Sequence, residues 1–287
     1  MTAGSLIVVG AREEASGRIA LQQATQLAPS NRDRIRLVHV SRLPALQRVL
    51  EALTPQRTAP AGHDPDRYQW LQRLADSAGK DGPAVSFEVL DGEPDTAITD
   101  HARQADADLI IVATHREGQS REMFIGSTDL RILRSAHCPV LIARGRSAQP
   151  YRRAMVAIDL DESGQRVALA ANTLLADAAI DLVHAYQVPE EQLRLRGLAE
   201  KELASLRELM RADLEERLNA FALAFPSATT HLEQGFVASV ILDLVLRFRP
   251  DVLVLGKHRG TSSDERAIGS IAQFLLYTCP TDFMLVP

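Results

Sequence analysis

Pro250-Asp251-Val252-Leu253-Val254-Leu255-Gly256-Lys257-His258-Arg259, followed by Ile268-Gly269-Ser270 and Cys279-Pro280, is the stretch on which the fold turns. The chain contains it twice. Ala107-Asp108-Leu109-Ile110-Ile111-Val112-Ala113-Thr114-His115-Arg116 leads to Ile125-Gly126-Ser127 and then to Cys138-Pro139. Ala113 to Gly256, His115 to His258 and Gly126 to Gly269 are each 143 residues apart, and Gly92 to Gly235 keeps the same step. Cys138 to Cys279 is 141, and Leu37-Val38-His39 meets Leu182-Val183-His184 at 145. Chance can supply one such match but not an ordered set, so the chain is a tandem duplication.

Working outward, each copy alternates short apolar runs with helical periodicity. The first half reads as strands over Leu6–Val9, Arg34–Val40, Val85–Leu90, Leu109–Ala113 and Val140–Ala143. Helical patterns lie between them, at about Tyr68–Ala78, Asp95–Gln104 and Ser127–Ser135. The second half repeats the strands as Met155–Ile158, Ile180–Ala185, Thr229–Glu233, Val252–Gly256 and Phe283–Val286. Short β-rich runs joined by helices predict right-handed βαβ units and two five-stranded parallel sheets of Rossmann-like α/β type. The expected domains are 1–145 and 151–287, joined by the polar stretch Arg144–Arg153.

Two segments are not repeated in detail. Ser41–Asp66 holds four prolines and predicts one short helix, Ala45–Leu53, followed by a loop. Pro189–Phe225 predicts a long helix whose stripe, Leu203, Leu206, Met210, Leu214, Leu218, Phe221 and Phe225, faces its own sheet.

Composition excludes several function classes. Apolar residues at 46% and charged residues at 24% give a globular chain with enough core for two domains. The balance of 32 basic against 37 acidic residues, net −5, lacks the footprint of a nucleic-acid binder. No apolar run approaches the roughly 18–20 residues that cross a bilayer, and the first residues lack the basic and apolar regions of a secretory leader. Two cysteines do not make a disulfide framework, so Cys138 and Cys279 are expected as buried thiols in a cytoplasmic protein.

In an open parallel sheet, ligands bind at the carboxyl ends of the strands where strand order reverses. Gly126-Ser127 and Gly269-Ser270 each open a helix in that region, where backbone N–H groups and the dipole favour an anion. No GxSxG elbow, P-loop, HExxH or CxxC pattern occurs, so neither a catalytic residue nor a metal site is expected. His39 and His184 read as core-edge residues, His115 and His258 as surface histidines.

The repeat, the turn Gly92-Glu93-Pro94 and the closing Cys-Pro-Val strand resemble the universal stress protein family in its tandem form, across nearly the whole chain. Nucleotide-binding members carry G-x2-G-x9-G-[S/T] after the fourth strand and an aspartate after the first. The resemblance implies a role in the stress response, possible ATP binding, and domain pairing through fifth strands. Here that pairing means Val140–Ala143 antiparallel to Phe283–Val286, an intramolecular pseudo-dimer; such a geometry sets Cys138 and Cys279 too far apart to bridge. A homodimer of whole chains and an unknown protein partner stay open.

Carried over residue by residue, the second half keeps Asp159, after Val156-Ala157-Ile158, with Gly256 and Gly269-Ser270, but has Arg259 for the second loop glycine. The first half has Ala11, Ala113 and Arg116 at those positions and keeps only Gly126-Ser127. A Cβ obstructs a phosphate loop, so ATP or another adenine nucleotide is expected in the C-terminal domain only. The candidate site is Ala157, Ile158, Asp159, Ala185, Gly256, Arg259, Gly269, Ser270 and Ile271. Arg259 reads two ways, as a guanidinium that contacts phosphate or as bulk that closes the loop. The alternative function is a nucleotide-independent module for an apolar ligand or protein partner, and slow ATP hydrolysis is not excluded.

Overall fold

A computed structural model describes residues 4–28, 30, 32–41, 68–78, 82–114, 125–144, 149–257 and 267–287. The helix expected at Ala45–Leu53 and residues His115, Arg116, His258 and Arg259 lie outside the described residues. The chain divides into two compact units, Met1–Pro150 and Tyr151–Val286.

In the first unit the strands are β1 (Leu6–Gly10), β2 (Arg34–Ser41), β3 (Ala84–Asp91), β4 (Leu109–Ala113) and β5 (Val140–Ala143). They pair in parallel in the order β3-β2-β1-β4-β5. The helices are α1 (Glu14–Leu27), α2 (Gln69–Asp76), α3 (Pro94–Gln104) and α4 (Ser127–Ser135). The second unit has β6 (Arg153–Ala157), β7 (Ala179–Tyr186), β8 (Thr229–Gln234), β9 (Val252–Gly256) and β10 (Asp282–Val286), parallel in the order β8-β7-β6-β9-β10. Its helices are α5 (Glu162–Leu174), α6 (Glu190–Leu195), α7 (Glu200–Ala222), α8 (Val237–Phe248) and α9 (Ser270–Thr278). Both units are Rossmann-like α/β sheets, and strand order reverses between β1 and β4 and between β6 and β9.

The central strands are continuous apolar runs because helices cover both faces of a parallel sheet. Val8, Val9, Ile110 and Ile111 are buried in one unit, and Met155, Val156, Leu253 and Val254 in the other. The repeated aspartate before the fourth strand has a structural task. Asp108 accepts the Leu6 N–H at 2.8 Å, and Asp251 accepts those of Arg152 and Arg153 at 2.7 and 2.9 Å. Each carboxylate thereby aligns the start of the first strand with the fourth. The turns at Gly92 and Gly235 take φ of +124° and +151°, a conformation that explains both glycines.

One difference from the sequence reading appears. The long helical pattern after β7 is two helices, α6 and α7, separated at Gly197 with φ +88°. The Glu202 carboxylate caps the new start by accepting the Ala199 N–H at 2.7 Å. Along α7, Leu203 and Leu218 are buried while Leu206, Met210, Leu214 and Phe221 are half-buried, so the stripe faces inward over β8. Both cysteines are buried free thiols, and burial pushes the Cys138 thiol up to about 12.

Candidate functional site

The first and fourth strands of the second unit end beside one another, and a cavity of about 300 Å³ opens over their carboxyl ends. Its lining includes Ala157, Ile158 and Asp159 from the end of β6, Ala185 from β7, Gly256 from β9, and Gly269, Ser270 and Ile271 at the start of α9. Eight of the nine candidate residues thus share one cavity, and the ninth, Arg259, is outside the described residues. The floor is apolar, with Val167, Val183, Ile241 and Leu255 among its walls.

Several lining residues were not singled out from sequence. Ser163 and Gly164 come from the first turn of α5, Arg166 follows on the same helix, and Lys257 follows Gly256. Gly164 is the one for which a sequence signal existed, since Gly17 occupies a similar place after the first strand of the other half. A side chain on Gly164 would run into the carbonyl oxygen of Asp159. The helix and the aspartate loop therefore touch backbone to backbone, which fixes where Asp159 begins. Asp161 caps the same helix, accepting the Gly164 N–H at 3.0 Å and the Ser163 hydroxyl at 2.6 Å. Those two bonds, the hydroxyl first, hold the Asp161 carboxyl below its usual range.

Behind the loop, His184 Nδ1 lies 2.9 Å from the Ile158 carbonyl oxygen, which can only accept, so Nδ1 carries the proton. His39 does the same for Ala11 at 2.8 Å. In β-ladder terms, the Ala11 N–H reaches Val38 as the Ile158 N–H reaches Val183. This register corrects the sequence alignment of the halves: Ala11 corresponds to Ile158, and the residue in the place of Asp159 is Arg12. Three residues separate β1 from α1, whereas four separate β6 from α5.

Electrostatically the cavity is mixed. Asp159 supplies a carboxylate, Arg166 and Lys257 supply cations, and the first turn of α9 supplies N–H groups with no side-chain cap. A side chain on Gly256 would begin only 3.0 Å from Val167 Cγ2, so the floor there is already filled to contact. Such a set suits a ligand with an apolar face, hydroxyl or amino donors for Asp159, and an anionic group for the helix start.

At the start of α4 the first unit holds a different arrangement. The Gly126 N–H donates to Asp129 Oδ2 at 3.2 Å, so a carboxylate of the same helix occupies the helix N-terminus. Burial is the main influence on Asp129 and raises its pKa, while the Gly126 N–H and the Arg12 guanidinium pull it down. The residue 143 further on is Ala272. Above α1, Leu74 Cδ2 and Trp70 of α2 come within 3.0 and 3.5 Å of where a side chain on Gly17 would start. Trp70 and Tyr68 also flank His39, with ring centroids 5.5 and 5.6 Å away.

The model of the universal stress protein family matches twice, over residues 5–144 and 150–287. A universal stress protein of Synechocystis is 33% identical over 76 residues, and one of Methanocaldococcus jannaschii is 31% identical over 74. Each alignment covers 26% of this chain, which spans about half the length of the curated relatives it matches, 49% and 44%. Among solved structures, a functionally unknown protein of Pseudomonas aeruginosa superposes with a TM-score of 0.70 at 19% identity, over 99% of this chain and 92% of its own. A universal stress protein of Archaeoglobus fulgidus gives 0.66 at 15%, over 98% and 97%. These two likenesses concern the fold, whereas the doubled family match covers nearly every residue. The chain belongs to the universal stress protein family and carries its domain twice in tandem.

Proposed function

We propose that the second unit binds one adenine nucleotide, ATP, and that the chain is a non-catalytic, cytoplasmic protein of the stress response whose first unit binds none. The observation that carries this reading is the gathering of Asp159, Gly256, Gly269 and Ser270, far apart in sequence, around one cavity at the strand-order reversal. In the proposed complex Asp159 accepts from the ribose or base. The start of α9, with Arg166 and Lys257, faces the phosphates, and the apolar walls receive the base. Arg259 belongs to the same loop in sequence, and either of its two roles is compatible with this assignment.

Binding rather than turnover is favoured by the lining. Asp159 is the one acidic residue among the described lining residues, and no histidine accompanies it. A lone carboxylate does not supply an acid–base pair. In the first unit Asp129 already sits on the helix start, and Arg12 stands in the place of the ligand-facing aspartate.

Calorimetric titration with ATP and Mg²⁺ tests the reading. One site per chain is expected, weakened about ten- to a hundredfold in Asp159→Ala, the scale of a lost hydrogen bond to a charged group. Two sites per chain contradict the assignment of the first unit. No binding contradicts the nucleotide reading and leaves the module for an apolar ligand or protein partner.

A further inference from the structure

Strand β6 ends at Ala157, yet Ile158 still binds two consecutive residues of β7. Its N–H donates to the Val183 carbonyl at 2.9 Å, and its own carbonyl lies 2.9 Å from His184 Nδ1. In a regular parallel ladder a backbone N–H of the neighbouring strand fills that second place. Here an imidazole fills it, so the chain leaves the sheet at Ile158 with both backbone groups bound. His184 and Ile158 are 9% and 5% exposed, which keeps the bond away from water. The Ile158 carbonyl and the Asp159 N–H share one planar peptide, so fixing the carbonyl fixes the direction in which Asp159 starts. His184 is not among the described residues that line the cavity, and its influence there passes through this peptide.

We infer that His184 is a positioning residue of the nucleotide site, a role that rests on the nucleotide reading of the second unit: through the Ile158 carbonyl it sets the place of the Asp159 carboxylate. The duplication supplies the control. His39 Nδ1 lies 2.8 Å from the Ala11 carbonyl, and the Ala11 N–H donates to Val38 at 2.8 Å, but the residue that follows is Arg12. The first unit thus has the same bond with no carboxylate to place.

Calorimetric titration of the full chain with ATP and Mg²⁺ reads the role. His184→Leu removes the donor and is expected to weaken ATP about tenfold. His184→Asn, whose amide nitrogen also sits on Cγ, is expected to stay within about threefold of the wild type. Should His184→Leu not fold, His184→Gln, whose donor sits one bond further out, takes its place with the same expected loss. His39→Leu is expected to leave ATP affinity unchanged. In an Asp159→Ala background, His184→Leu is expected to weaken ATP no further, since no carboxylate is left to place. Unchanged affinity in His184→Leu overturns the inference. So does a loss in His184→Asn as large as in His184→Leu, or a loss from His184→Leu that adds in full to Asp159→Ala. A wild type without affinity for ATP strikes the nucleotide reading instead, and hydrogen exchange of the ligand-free chain then decides. Exchange in peptides covering Ala157–Gly164 is expected to quicken in His184→Leu and to keep wild-type rates in His184→Asn. Unchanged rates in His184→Leu overturn the positioning role.

Discussion

The two units share a strand order and differ in what fills the end of the sheet where order reverses. In the first, α2 lies on α1 and sends Leu74 and Trp70 over Gly17, while Asp129 occupies the start of α4. In the second, the helix after β7 is displaced to β8, the start of α9 carries Ala272, and a cavity of about 300 Å³ lies between α5 and α9. Charge is exchanged too, with Arg12 standing where the other copy has Asp159. One copy therefore satisfies its own helix dipole, and the other has no side-chain cap at the matching helix start. Duplication keeps the scaffold in both halves, because the sheet needs it, and lets the end of one sheet be rebuilt.

The largest expected effect concerns the glycine after the first strand. Gly164→Ala should cost about 3 kcal/mol or more in denaturant unfolding, because its Cβ meets backbone that cannot step aside. Gly17→Ala meets side-chain atoms at 3.0 Å and should cost about 1 kcal/mol. Equal losses would break the comparison. Next, Ala272→Asp copies the cap of the first unit into the second. It should weaken ATP about tenfold, the scale of about 1.4 kcal/mol, by placing a carboxylate where phosphate is proposed. Unchanged affinity would detach the nucleotide from the start of α9.

A smaller pair of effects has opposite signs. Asp161→Ala should cost about 1 kcal/mol at neutral pH through loss of the cap. The native carboxyl of Asp161 is depressed, so its contribution is present above the ordinary carboxylate pKa and fades as pH falls through the native value. For Asp129 the native pKa is raised by burial. Its protonated form favours folding at acid pH, and that advantage is lost as pH rises through the native value. Asp129→Asn should therefore gain on the wild type as pH rises from about 3 to 7, while Asp161→Asn should lose ground. Chemical denaturation at several pH values reads both slopes, and slopes of the same sign would refute the electrostatic contrast.

Nearly all of the scaffold was legible in the sequence, since Leu109–Ala113 and Val252–Gly256 repeat with their flanking motifs and the β and α periods alternate cleanly. The break at Gly197 was not, because the apolar stripe begins only at Leu203 and carries no signal of an interruption ahead of it. Eight of the eighteen described residues lining the candidate cavity, Asp159, Gly256, Gly269 and Ser270 among them, were legible through motif positions. The counterpart of Asp159 was not: one extra residue in a loop shifts an alignment that only the β-ladder register and the two histidine bonds restore. Nor did the exchange of Asp129 for Ala272 stand out, since a carboxylate at the third position of a helix reads as an ordinary cap until its partner copy lacks it. Arg166 carries no motif and is recognised only by the cavity it borders.

Hydrogen exchange of the whole chain, followed by peptide mass with and without saturating ATP and Mg²⁺, tests the central claim most directly. The account predicts slower exchange in peptides covering Ala157–Val167 and Ile268–Ala272, with no change in those covering Gly10–Gly17 and Ile125–Asp129. Protection of the first unit's peptides, or of neither set, would contradict it.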